Sequence, residues 1–124
     1  MPWKFNESES LFLQIAKKLR TDIVYGRYKP DEQIPPVRQL AFDAAVNPNT
    51  MQKALSMLES EGLLHSKGTV GRFITSDTQI IEKAKKDMKI ELARKWMLEA
   101  DAMGIDAIEL IEHINQLKQE GQDL

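Results

Sequence analysis

The chain contains no cysteine. Disulfides and thiolate metal sites are therefore excluded, and a reducing compartment is permitted without being required. Histidine is nearly as scarce: His65 and His113 are the only two, and neither has a second histidine at ligand spacing. Stable transition-metal sites take three or four ligands, so no metal and no other cofactor is expected. No apolar run approaches the roughly 20 residues that a membrane span needs, and the opening MPWKFNESES holds no apolar signal-peptide core. A cytoplasmic protein with no membrane partner is the expectation. There is also no nucleophile beside a base, no glycine-rich phosphate loop and no ligand cluster, so no catalytic residue is assigned and an enzyme is not expected.

A strong charge of one sign is missing as well, the formal net charge being -2. Its distribution is uneven. Met1 to Thr75 carries 10 Lys/Arg against 8 Asp/Glu, a net of +2, whereas Ser76 to Leu124 carries 7 against 11, a net of -4. A mildly basic front segment can gather its cations on one face, and only that face would meet phosphates. The 124 residues leave room for one ordinary domain and a small appendage, and 42% hydrophobic with 29% charged residues is the balance of a globular chain with a core.

The first apolar stripe is Leu11, Ile15, Leu19 and Ile23, every fourth residue, which predicts an amphipathic helix ending at Tyr25-Gly26. A loop through Pro30 follows. Pro35-Pro36 cannot lie inside a helix but suits its first turn, so a short second helix is predicted from about Pro36 to Ala44, burying Val37, Leu40 and Ala41. Asn47-Pro48 is a strong helix start, the asparagine as cap and the proline in the first turn. The third helix then buries Met51, Ala54, Leu55 and Leu58, stops at Gly62, and leaves Asn49, Gln52, Lys53, Ser56 and Ser60 exposed. Two short stretches, Leu63 to Ser66 and Arg72 to Thr75, joined by Lys67-Gly68-Thr69-Val70-Gly71, read as a β-hairpin. Three helices and a hairpin in this order make a winged helix-turn-helix with the third helix as reader.

From about Thr78 the helical pattern resumes with Ile81, Ala84, Met88, Leu92, Trp96 and Ala100, breaks at Met103-Gly104, and restarts after Asp106 with Ile111, Ile114 and Leu117. The predicted fold class is mainly α with a small β-hairpin: a winged helix-turn-helix over residues 1–75 and a two-helix hairpin over 76–124. Two helices alone bury little, and apolar residues on several faces call for a second copy as cover. Met88, Leu92, Trp96, Ile108, Ile111 and Ile114 are the candidate homodimer contacts.

These residues resemble the GntR family of bacterial transcription regulators, and in particular its short YtrA-type subfamily. The resemblance is carried by Gln14-Ile15, Ile23-x-x-Gly26, Ile34-Pro35-Pro36-Val37-Arg38-Gln39-Leu40-Ala41, Val46-Asn47-Pro48-Asn49-Thr50, Leu58-Glu59-x-Glu61-Gly62-Leu63 and Lys67-Gly68-x-x-Gly71-x-Phe73-Ile74. Together they cover Leu11 to Thr75 in family order. The chain departs from the family pattern at Asp31, where glycine is preferred, at Pro36, where serine is, and at Arg72, often threonine. Gln52-Lys53 also stand where many relatives carry an arginine.

The resemblance implies double-stranded DNA as partner and a DNA contact from Arg38. Asn47, Asn49, Thr50, Gln52 and Lys53 begin the reader helix; Asn47 is read chiefly as a cap, Gln52 has the amide geometry that pairs with adenine, and Lys53 suits phosphate or guanine. On the hairpin, Lys67, Thr69 and Arg72 would reach the minor groove or nearby backbone, with Gly68 and Gly71 allowing the turn. The expected function is a sequence-specific homodimeric repressor on a palindromic operator, with any small effector unidentified. The alternative is a winged-helix interaction module that does not bind DNA.

Overall fold

The computed structural model of the chain describes residues 3–121. Helix α1 spans Leu11–Val24 and buries Ile15, Ala16, Leu19, Ile23 and Val24, one face of the predicted stripe. Ahead of it, Gln14 pins the incoming segment: its Oε1 accepts from the Asn6 amide at 2.9 Å, and its Nε2 donates to the Asn6 and Glu9 carbonyls at 2.8 and 3.0 Å. Trp3 and Phe5 from that segment pack against the core.

Helix α2 covers Val37–Ala44, starting one residue after the predicted Pro36, which is extended and flanks the helix. Leu40, Ala41 and Ala44 are buried, with Val37 half-buried. Helix α3, Pro48–Ser60, begins as its sequence dictates: the Asn47 side chain accepts from the Asn49 amide at 2.8 Å and Pro48 sits in the first turn. Its buried residues are Met51, Ala54, Leu55 and Leu58, and α1 and α2 both pack on it.

These three helices close in one manner. In each, a residue of positive φ follows the last turn and the next amide reaches back five residues: Arg27 to the Asp22 carbonyl, Val46 to Ala41, Leu63 to Leu58. Such a closure satisfies orphan carbonyls and favours glycine at the left-handed position. Gly26 and Gly62 fill it after α1 and α3, but after α2 it is Ala45, at φ 58°.

Strands β1 (Leu64–Lys67) and β2 (Gly71–Ile74) pair antiparallel, Leu64 opposite Ile74 and Lys67 opposite Gly71, a one-residue shift from the predicted bounds. The loop expected between Gly26 and Pro35 is not wholly a loop. The Asp31 amide donates to the Ile74 carbonyl at 3.1 Å, Ile74 to Glu32 at 2.9 Å and Ile34 to Arg72 at 3.0 Å, and Gln33 bridges Phe73. The segment thus lines the free edge of β2. Its main-chain pairing needs no apolar alternation, which Asp31-Glu32-Gln33 lacks. Asp31 enters at φ 66°, which accounts for the glycine preferred there.

Helix α4 runs Thr78–Ala102 and α5 Ala107–Gly121. Asp77 caps α4 by accepting from the Gln79 amide at 2.9 Å. Ile80, Ile81 and Ala84 pack against the head's core, so the first compact unit extends to Lys85 rather than to the Thr75 boundary drawn from the sequence. The second unit begins at Lys86. Within it α4 closes at Gly104 as the earlier helices do, with the Ile105 amide on the Ala100 carbonyl at 2.9 Å, and Asp106 accepts from the Ile108 amide at 2.9 Å to start α5. The expected two-helix arm is present, α4 turning at Gly104 into α5, with little direct packing between the two helices. Ala100 is the one buried residue of α4 and α5 has none, because apolar groups spread over several faces of two helices cannot all be turned inward. No helix of the described residues is long and apolar enough to cross a membrane.

Candidate nucleic-acid interface

The core of the first unit sets which residues remain outside it. Helix α3 turns Met51, Ala54, Leu55 and Leu58 inward, which leaves Asn49, Gln52, Lys53 and Ser56, spaced by three or four, along its exposed face. Asn47 is engaged as the cap, and Thr50 is half-buried. The Gln52 Nε2 lies 3.4 Å from the Ser56 hydroxyl, a weak contact that leaves its carbonyl oxygen available. Lys53 holds its ammonium 4.0 Å above the ring centre of Phe12 on α1, a cation–π contact that restrains a long side chain without neutralising it. Arg38, in the first turn of α2, is exposed and free of any partner among the described residues.

At the hairpin, a three-residue loop joins Lys67 to Gly71, and the Val70 amide donates to the Lys67 carbonyl at 2.9 Å. Gly68 and Gly71 both have positive φ, and Lys67 and Thr69 are exposed. The Lys67 ammonium lies 4.5 Å over the Phe73 ring. Arg72 is placed differently from the other candidates. Its side chain is only 16% exposed and its Nε is bonded to Glu59 of α3. An open groove of about 390 Å³ separates the hairpin from the Gln33–Val37 segment that leads into α2.

Two carboxylates at the C-terminal end of α3 are taken up by internal braces. Glu61 receives Arg20 Nε and Nη2 on its two oxygens at 2.7 Å each, joining α3 to α1 in a two-pronged pair. Glu59 receives Arg72 and, at 3.0 Å, the Ser66 hydroxyl. Partial burial alone would raise the Glu59 pKa, but these two hydrogen bonds and the charge of Arg72 outweigh it and hold the carboxyl below its ordinary range. Among the described residues none of Arg38, Lys53 and Lys67 is ion-paired. The braces pair Glu59 and Glu61 with Arg72 and Arg20, which leaves Arg38, Lys53 and Lys67 outside those pairs.

The candidate dimer residues lie apart from this surface in sequence. Leu92, Trp96, Ile108 and Ile111 are exposed, and Met88 and Ile114 are half-buried. Reading the sequence did not single out Glu59 or Gln33, whose partners are 13 and 37 residues away. Only the motif Leu58-Glu59-x-Glu61-Gly62 flagged the former.

Three helices, a bridging hairpin and a polar exposed face on the third helix define the winged helix-turn-helix class of DNA-binding regulators. The family described as bacterial regulatory proteins, gntR family, matches residues 11–74. The chain belongs to this GntR family, whose members are transcription regulators and not enzymes. It is 30% identical over 112 residues to the HTH-type transcriptional repressor YtrA of Bacillus subtilis, covering 89% of this chain and 85% of that protein. A GntR family transcriptional regulator from Listeria monocytogenes superimposes with a TM-score of 0.85 at 28% identity, over 90% of this chain and 98% of the other. The DNA-binding domain of AraR, solved in complex with operator ORX1, matches with a TM-score of 0.53 at 28% identity, covering 58% of this chain and 93% of that one.

Proposed function

We propose that the chain is a homodimeric transcriptional repressor, acting in the bacterial cytoplasm on a palindromic operator. Helix α3 lies in the major groove, with Asn49, Gln52 and Lys53 directed at base edges and backbone and Thr50 beside them. Arg38 holds phosphate or guanine from the start of α2, and Lys67, Gly68 and Thr69 bring the hairpin to the flanking backbone or minor groove. The observation that carries this reading is the unpaired set Arg38, Lys53 and Lys67 around a polar α3 face. A relative named as a repressor and a similar domain bound to its operator support it.

The arm supplies the dimer contact through Met88, Leu92, Trp96, Ile108, Ile111 and Ile114. Two-fold symmetry in the protein then asks for two half-sites, spaced by about one turn of DNA or a multiple of it. Selection of bound fragments from random DNA tests the reading directly: it should return a palindrome. Arg38→Ala and Lys53→Ala should each weaken binding to the selected duplex. Loss of a phosphate contact in each half-site should also lower the slope of log affinity against log salt by about one unit per protomer, about two for the dimer. Recovery of no enriched sequence, or unchanged affinity and slope in both variants, overturns it.

A further inference from the structure

We infer that Arg72 is a positioning residue for the hairpin, not a DNA contact, and that Glu59 is the point on α3 to which both strands are fastened. The inference rests on the DNA-reading role proposed above. Ser66 and Arg72 are cross-strand partners, and their side chains converge on the same Glu59 oxygen. One carboxylate therefore receives a donor from each strand, which restrains rotation of the hairpin about the end of the reader helix as a single-strand contact would not. Arg72, at 16% exposure, is largely enclosed and turned onto Glu59 rather than held out toward a phosphate.

A second brace acts from the opposite side. Gln33 Nε2 donates to the Val70 carbonyl at 2.8 Å, and its amide crosses Gly71 so closely that a Cβ there would lie 2.7 Å from Nε2. The hairpin is thus held by Glu59 at the Ser66–Arg72 pair, next to its closing residues, and by the edge segment at Val70 in its tip. A two-stranded hairpin is marginal by itself, so these braces govern where Lys67 and Thr69 are presented.

The test uses the full chain with Glu59→Gln, Arg72→Gln and the double variant. Without DNA, amide exchange across the hairpin should accelerate in both single variants while exchange in α1 is unchanged. Against a duplex recovered by selection from random DNA, each single variant should bind roughly three- to tenfold more weakly. The double variant should be no worse than the weaker single, because one interaction is being broken twice. The salt slope should stay at the wild-type value. The inference is overturned if Arg72→Gln alone lowers the slope by about one unit per protomer, about two for the dimer, while Glu59→Gln binds as tightly as wild type or more tightly. Unchanged hairpin exchange in both variants also overturns it. If no duplex can be selected, the DNA reading itself has failed, and the exchange measurement alone decides whether the brace exists.

Discussion

The two compact units use similar helical material to opposite ends. In the unit ending at Lys85, the buried core residues come almost entirely from helices and strands that cover one another, and residues such as Ile15, Met51 and Leu55 are wholly enclosed. Among the described residues of the unit beginning at Lys86, a single alanine is buried, while Trp96, Leu98, Ile108 and Ile111 stay 45–69% exposed. Apolar surface left uncovered on this scale marks an interface, since single scattered apolar residues are ordinary but a whole two-helix segment of them is not. The head is complete within one chain; the arm's apolar residues are what the dimer contact proposed above would cover.

The sharpest way to break this contrast is to cut into each side. Leu55→Ala should cost the head about 2–5 kcal/mol, read from urea unfolding. Ile111→Ala should change head unfolding by less than about 0.5 kcal/mol while weakening self-association in sedimentation. An equally destabilising Ile111→Ala would mean that the arm has a protomer core of its own. A smaller effect separates two truncations. A chain ending at Thr75 loses the packing of Ile80, Ile81 and Ala84 and should be less stable by roughly 2–3 kcal/mol than one ending at Lys85. Both should sediment as monomers, and a dimeric head would remove the task proposed for the arm.

Ala45→Gly is a gain rather than a loss. It places glycine at the one left-handed closure in the head that lacks it, and should raise stability by about 1 kcal/mol, seen as a higher Tm. The smallest effect concerns Glu59. Its folded pKa lies below its ordinary value of 4.5, so its stabilising contribution is full above that value and disappears as pH falls through the folded pKa. The stability difference between wild type and Glu59→Gln should therefore shrink on acidification, and a difference that grows instead would reverse the sign assigned to the pair.

Helices α1 to α3 were legible because their signals are local: a stripe at every fourth residue, Pro35-Pro36, Asn47-Pro48, and glycine after the last turn. The same locality explains what was hidden. The pairing of residues 31–34 with β2 is made by main chain and leaves no pattern in the side chains. The packing of Ile80, Ile81 and Ala84 on the head continues a stripe that looks uniform from Thr78 onward, so the periodicity alone could not say where one unit stops. Among the interface candidates, Asn47 is found in the capping role read for it. Arg72 could not be distinguished from Lys67 by charge and position, since its partner lies on a helix 13 residues earlier.

The start of the reader helix has a further consequence, for chemical ageing. Asparagine side chains degrade when the next residue's main-chain nitrogen loses its hydrogen and closes a five-membered ring on the side-chain carbonyl. At Asn47 the next nitrogen belongs to Pro48, which has no hydrogen to lose, so that route is shut. The residue that starts α3 is thereby protected against slow conversion to an acid, which would place a negative charge at the edge of the face proposed above to meet DNA.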